Sequence, residues 1–381
     1  MEKITVALEN NKKVGSPILW ASLVFMLYLL LLSVTMVGGG FKMATGDQAK
    51  VLFEFASHPI AGLMIGLVAT ALIQSSSTVT SIIVGLVAGG LPVETAIPMI
   101  MGANIGTTVT NTIVSLAHIR EKDEFKNAFA SATIHDFFNI LAVIIFLPLE
   151  IMFGIFEKVS EWLVSFFVST GDMSIKSFNF IKPITKPVVK AIESHLSFLN
   201  SEMIGVSLII GGIFTIFIAI TFMGKLMKKL MVGRAKEILK NAIGKGPLHG
   251  IFSGTLVTVL VQSSSTTTSL IIPLVGNKIL KVKEIYPFTI GSNIGTCITA
   301  LLAATAVTGD FAVFALQIAL VHLSFNLAAT IVIFGIPFLR KIPLNSSHWI
   351  SDLAIKNRGV VFVYLISLFV VIPSAILFLT V

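Results

Sequence analysis

Two short segments of this chain consist almost entirely of hydroxyls and one amide. Gln74-Ser75-Ser76-Ser77-Thr78-Val79-Thr80-Ser81 recurs as Gln262-Ser263-Ser264-Ser265-Thr266-Thr267-Thr268-Ser269, with seven of the eight residues identical. Ser and Thr hydroxyls donate to oxyanion oxygens and also coordinate hard cations. A second motif follows each segment. Gly102-Ala103-Asn104-Ile105-Gly106-Thr107 places its Asn thirty residues after Gln74, and Gly291-Ser292-Asn293-Ile294-Gly295-Thr296 places its Asn thirty-one after Gln262. Glycines permit local unwinding, and freed carbonyls with the oxygens of Asn104, Thr107, Ser292, Asn293, Thr296 and Thr299 make an all-oxygen environment that suits a hard cation. Further on, His135 and Asn139 are matched by His322 and Asn326, each pair four residues apart and so on one helix face. Asp136 lies in the apolar stretch 128–149, where an acid is either functional or bonded to a neighbouring helix.

The elements that must position these groups are membrane helices. Of 381 residues, 55% are hydrophobic and 12% charged, and the apolar residues fall in long charge-free runs such as Pro17 to Val37. The expected fold class is therefore an all-α polytopic membrane protein. Full spans are expected over Pro17–Val37, Glu94–His118, Ala128–Leu149, Met203–Met223, Glu284–Val307, Phe311–Phe338 and Gly359–Val381. The segment Ile151 to Ser169 is interrupted by Glu157, Lys158 and Glu161 and reads as interfacial. The net charge of +8 is no sign of nucleic acid, because seven basic residues crowd between Lys225 and Lys245, against one acid, Glu237. Such a stretch between spans reads as a cytoplasmic loop. The first helix, preceded by Lys3, Lys12 and Lys13, then starts in the cytoplasm, and Val381 is external. A single cysteine, Cys297, rules out an internal disulfide and argues against a cysteine-based metal cage.

The Gln-Ser-Ser-Ser segments do not fit a continuous span. The stretch from Pro59 to Gln74 would be about 24 Å as a helix and Thr78 to Gly90 about 20 Å, against a hydrocarbon core of about 30 Å. A re-entrant hairpin over 59–90, matched by one over 248–276, resolves the mismatch, and its tip must line a cavity. At the tip, one half-helix ends with free carbonyls and the next begins with free N–H groups. The candidate substrate-binding residues are Gln74, Ser75, Ser76, Ser77, Thr78, Gln262, Ser263, Ser264, Ser265 and Thr266. No Lys or Arg occurs from Val51 to Ile119 or from Pro247 to Asn277, so an oxyanion there would need helix N-termini and co-bound cations to neutralise it. Small polar residues also join transmembrane helices, but duplicated broken helices are the stronger pointer to a site. The expected organisation is a first repeat over residues 1–150, an external connector over 151–202 and a second repeat of opposite orientation over 203–381.

An intramembrane hydrolase is a poor match, because the serines come as two triplets and no Gly-x-Ser-x-Gly elbow occurs. A channel would draw its selectivity from rings of carbonyls or charges, whereas paired broken helices favour alternating access. No enzyme activity and no cofactor are expected.

Taken together, these motifs resemble the type II sodium-phosphate cotransporters. The resemblance rests on both Gln-Ser-Ser-Ser-Thr elements, on Ile100 to Thr107 leading into Thr110 to Val114, on Phe129 to Asn139, and on Gly291 to Thr296. It implies inorganic phosphate as substrate, Na+ as the driving ion, lipid bilayer and no nucleic acid as surroundings, and a site at the two tips. It also implies Na+ ligands at Ser292, Thr296 and Thr299, with Asn139 from the first half. Where electrogenic animal members place a Gln and an Asp, this chain has His118 and Glu121, so Glu121 joins the Na+ candidates. Read from the residues alone, Glu121 sits in a mixed-charge loop and could simply be solvated. The short, cysteine-free connector resembles a bacterial member in the inner membrane. Transport of another oxyanion, or a channel, remains the alternative at this stage.

Overall fold

A computed structural model describes residues 16–45, 58–169, 181–242, 246–307 and 311–380. Lys3, Lys12, Lys13, Lys245 and Val381 lie outside the described residues. Among those described, helices account for nearly all regular structure and six are long and apolar enough to cross a membrane. The protein is an all-α, multi-pass membrane protein.

Helix α1 (Ser16–Thr45) leads to the first hairpin, α2 (Pro59–Ile73) and α3 (Ser76–Ala88). At fifteen and thirteen residues these arms are about 22 and 20 Å long, too short to span. Next come α4 (Val93–Gly106), α5 (Val109–Ser115) and the long α6 (Lys122–Phe153). The expected span over Glu94–His118 is thus broken at Thr107 and Thr108. The hydroxyls of these two threonines donate back to carbonyls of the preceding turn, Ala103 O (2.9 Å) and Ile105 O (2.8 Å).

The connector is helical where it is described. Helix α7 (Ile155–Ser169) is fifteen residues long and packs on the later helix Ala312–Ala329, and α8 (Ile181–His195) lies along α1, with Tyr28 Oη donating to Ile184 O (3.1 Å). Helix α9 (Ser201–Ala242) runs on past Lys225, so the basic connection expected as a loop is helical as far as Ala242. The stretch is rich in Lys, Leu, Met and Ala, good helix formers, and meets no proline before Pro247.

The second hairpin is α10 (Pro247–Val261), α11 (Ser264–Ser269) and α12 (Ile272–Gly276). Its returning arm is split where α3 is continuous, because Pro273 lacks an N–H and its ring excludes a carbonyl one turn back. Helix α13 (Val282–Thr305) is continuous through Gly291 to Thr296, so the expected unwinding occurs at the first Asn-Ile-Gly-Thr motif and not at the second. At the position of Thr108 the second copy has Cys297, fully buried, whose Sγ lies 3.4 Å from Asn293 O on its own helix and 3.5 Å from His322 O on a neighbouring one. Helix α14 (Ala312–Ala329) runs into a wide π turn, α15 (Pro337–Lys356) packs across α6, and α16 (Gly359–Ile366) and α17 (Ile372–Thr380) form the last span.

Two helix pairs bring the motifs together, α2 with α4 and α10 with α13. A Cβ on Gly102 would fall on the Leu63 carbonyl, and one on Gly291 on the Ile251 carbonyl. Gly66 and Gly254 meet Met99 and Phe288 backbone in the same way. Each crossing is backbone against backbone, as close contacts of small residues in membranes allow.

Candidate functional site

The two tips are built alike. Gln74 (φ 60°) and Gln262 (φ 55°) end α2 and α10 in left-handed backbone, which non-glycine residues rarely adopt. Each Gln holds itself there. Its Nε2 donates to a carbonyl of the last turn, Ala71 O (2.6 Å) or Val259 O (2.7 Å). Its Oε1 accepts from a threonine of the following motif, Thr110 (2.7 Å) or Thr299 (2.9 Å). The next residue caps the returning arm: Ser75 Oγ accepts from Thr78 N (3.2 Å) and Ser263 Oγ from Thr266 N (3.1 Å). Left-handed non-glycine residues cost about 1–3 kcal/mol and gather at functional sites. The tips differ in exposure, Gln74 being exposed and Gln262 buried.

Ser76, Ser77 and Ser264 follow the caps, each 3% exposed. Among the described residues, nothing pairs with their hydroxyls. Ser265 donates to Thr107 O (3.2 Å), and Thr268 (2.8 Å) and Ser269 (3.2 Å) donate to Asn111 Oδ1, so the second tip rests on the break in the first motif.

Beneath the tips, the two motifs exchange partners. Asn104 donates to Asn326 Oδ1 (2.8 Å) and its Oδ1 meets His322 Nε2 (3.1 Å). Reciprocally, Asn293 donates to Asn139 Oδ1 (2.7 Å) and its Oδ1 meets His135 Nε2 (2.6 Å). Asn139 also donates to Asn104 O (2.7 Å), which joins the two halves of this clasp. All six side chains are buried, between 0 and 3% exposed. Asp136, beside His135, accepts from Tyr364 Oη (2.6 Å) and weakly from Thr112 (3.5 Å), and its Oδ1 has no partner among the described residues.

Most of the residues singled out in the sequence therefore meet in one region. Glu121 does not join them: it stands exposed as the N-cap of α6 without a side-chain cap bond, and His118 pairs with Glu124 instead (3.2 Å). Ser292 and Thr296 lie on α13 with their hydroxyls on Thr289 O (2.6 Å) and Ser292 O (3.1 Å). The sequence reading did not single out Thr110 as the partner of Gln74. Its signal was present, since Thr110 follows Asn104 at the same six-residue offset by which Thr299 follows Asn293. The oxygens here are hydroxyl, amide and carbonyl, a set for hard cations and oxyanions rather than transition metals.

The clasp is testable. Asn293→Ala leaves His135 and Asn139 short of a partner, and a buried group so stranded costs about 1–3 kcal/mol. Thermal unfolding of the purified protein in detergent is expected to shift down accordingly. An unchanged transition would mean that the amide holds nothing.

Paired broken hairpins among six long apolar helices, with a buried polar site between them, define a membrane transporter. The chain belongs to the Na+/Pi-cotransporter family, whose model matches residues 29–169 and 215–340. It is similar to sodium-dependent phosphate transport protein 2A of Rattus norvegicus, 32% identical over 96% of this chain and 68% of the relative. The 2B protein of Homo sapiens is also 32% identical, over 92% of this chain and 63% of that protein. The chain thus spans about two thirds of the length of these relatives. No solved structure matches it.

Proposed function

We propose that this chain carries inorganic phosphate across the membrane together with Na+, by alternating access between two repeats, 1–150 and 203–381, joined by the connector 151–202. Family membership supports both substrates, since the rat and human relatives are named sodium-dependent phosphate transport proteins. The observation that carries the site is the pair of unpartnered hydroxyls, Ser76 and Ser264, at equivalent places on two tips of the same geometry. Phosphate would bind at Gln74 to Thr78 and Gln262 to Thr266. Helix α3 adds a thirteen-residue dipole with its N-terminus at the first tip, whereas the six residues of α11 offer hydroxyls and local N–H groups only.

Na+ would be held by oxygens of Asn104, Thr107, Asn139, Ser292, Asn293, Thr296 and Thr299, with Glu121 as an outlying candidate at the α6 entrance. Amide oxygens in the clasp keep a second lone pair for such a role. The absence of Lys and Arg from both hairpin regions supports obligatory coupling, because no protein cation is at hand to neutralise the anion. The basic run from Lys225 to Lys240 supports a cytoplasmic N-terminus, and the lone cysteine supports a bacterial inner-membrane setting over a disulfide-bearing one.

The decisive experiment is uptake of labelled phosphate into vesicles containing the purified chain. Accumulation is expected only with an inward Na+ gradient, and labelled sulfate should not substitute. Uptake indifferent to Na+ would sink the symport reading.

A further inference from the structure

At the end of the molecule where the first hairpin opens, two cavities of opposite charge lie side by side. One, of about 230 Å³, is lined by Glu94, Glu157 and Glu161; the other, of about 440 Å³, by Lys42, Lys186 and Lys190, with Glu193 as its one acid. Phe311 borders both. Lys42 comes from α1, where its ammonium lies 5.9 Å from the Phe311 ring, and the other two lysines from α8. The floor of the basic cavity is apolar, formed in part by Gly39 and Ala88. A Cβ on Gly39 would meet nothing within 4 Å, so the space reaches down to the α1 backbone, unlike the space at Gly40, where a Cβ would fall on Gly205 and Leu208.

We propose that this lysine-lined cavity is an anion site for a phosphate group, carried either by free orthophosphate or by a lipid headgroup. Three ammonium groups against one carboxylate over a low-dielectric floor create a local positive potential that concentrates anions. Strongly hydrated lysines on flexible stems suit a phosphate as point charges rather than as a rigid fork. The sorting of lysines into one cavity and glutamates into its neighbour separates an anion-attracting surface from a cation-attracting one. The site lies apart from the tips and holds whether or not the tips bind phosphate; if the occupant is orthophosphate, it extends the transport reading by a recruitment step.

The test is acylation of lysines by an amine-reactive reagent, read by mass spectrometry on the full chain in nanodiscs. One arm uses neutral phosphatidylcholine with inorganic phosphate added, against chloride at equal ionic strength; the other uses phosphatidic acid without phosphate. Lys42, Lys186 and Lys190 are expected to be protected relative to Lys283, by about tenfold at ten times the apparent Kd. The arm that protects identifies the occupant. Gly39→Leu, which fills the cavity while keeping every charge, should abolish the protection. Should that variant fail to fold, Lys186→Gln combined with Lys190→Gln should lose the rise in Tm that phosphate or phosphatidic acid confers. The proposal is overturned by no protection in either arm, by equal protection with chloride, by protection that persists in Gly39→Leu, or by a Tm rise that persists in the double Gln variant. Protection retained when Ser76→Ala and Ser264→Ala are combined assigns the effect to this cavity, and its loss there overturns the proposal. Failed Na+-driven uptake with intact protection would defeat the transport reading alone.

Discussion

Ser76→Ala and Ser264→Ala are each expected to weaken phosphate uptake by about ten- to hundredfold, although 188 residues separate them in the chain. Loss of a hydrogen bond to a charged ligand costs about 1.5–3 kcal/mol, which converts to that range. Neither hydroxyl has a hydrogen-bond partner among the described residues, so alanine removes no side-chain hydrogen bond among them and expression should be normal. Ser75→Ala supplies the contrast. Its hydroxyl caps α3 at Thr78 N, and losing a cap costs about 1 kcal/mol of stability. The measurement is the KM for phosphate at saturating Na+ in vesicles of matched protein content. A parent-like KM in either tip variant would remove that tip from the site and leave its Gln-Ser-Ser-Ser a structural copy of the other.

The second large effect should come from single methyl groups. Gly102→Ala and Gly291→Ala each place a carbon against a backbone carbonyl of the partner helix, Leu63 O or Ile251 O. A side chain could rotate away, but a carbonyl held in its own helix cannot, so the helices must part. Overpacking of this kind costs about 1–3 kcal/mol and occasionally more. Separation of α2 from α4 would also pull Gln74 from Thr110. We expect both variants to lose folded yield in detergent and to be inactive in the fraction that survives. Gly335→Ala, where a Cβ meets nothing within 4 Å, should match the parent in both respects. Normal yield and uptake in Gly102→Ala would show that this crossing has slack that its geometry does not suggest.

Much of the candidate site's geometry was legible in the sequence because the chain states it twice. Duplication of Gln-Ser-Ser-Ser, at a length too short to span, locates both tips, and the observed turns fall at Gln74 and Gln262. What could not be read was pairing across the repeats. Asn104 meets His322 and Asn326 over separations of 218 and 222 residues, and no local pattern names the partner of a buried amide. The break at Thr107 and Thr108, against continuity through Thr296 and Cys297, leaves no mark in the periodicity, and Thr107 and Thr296 bond back to their own helices alike. Charge hid the helix that continues α9 to Ala242, since basic residues mark the membrane edge without marking a loop. Pro183 and Pro187 likewise hid α8, which is held by packing against α1 through Val189 rather than by propensity.

The exchange of partners in the clasp bears on ancestry. Asn104 binds the His and Asn of the other half, and Asn293 binds those of the first. Contacts in which i meets j while j meets i are those of a two-fold homodimer. An ancestral unit carrying one such Asn and one His-x-x-x-Asn would have closed the clasp by pairing with itself, and any substitution would have struck both sides at once. Fusion of two copies into one chain lifts that tie. Thr108 and Cys297, or Val79 and Thr267, could then drift apart, one half taking the broken helix and the other the continuous one. Asn104, His135 and Asn139, repeated as Asn293, His322 and Asn326, are the residues that such a self-pairing unit could not have changed without losing its mate.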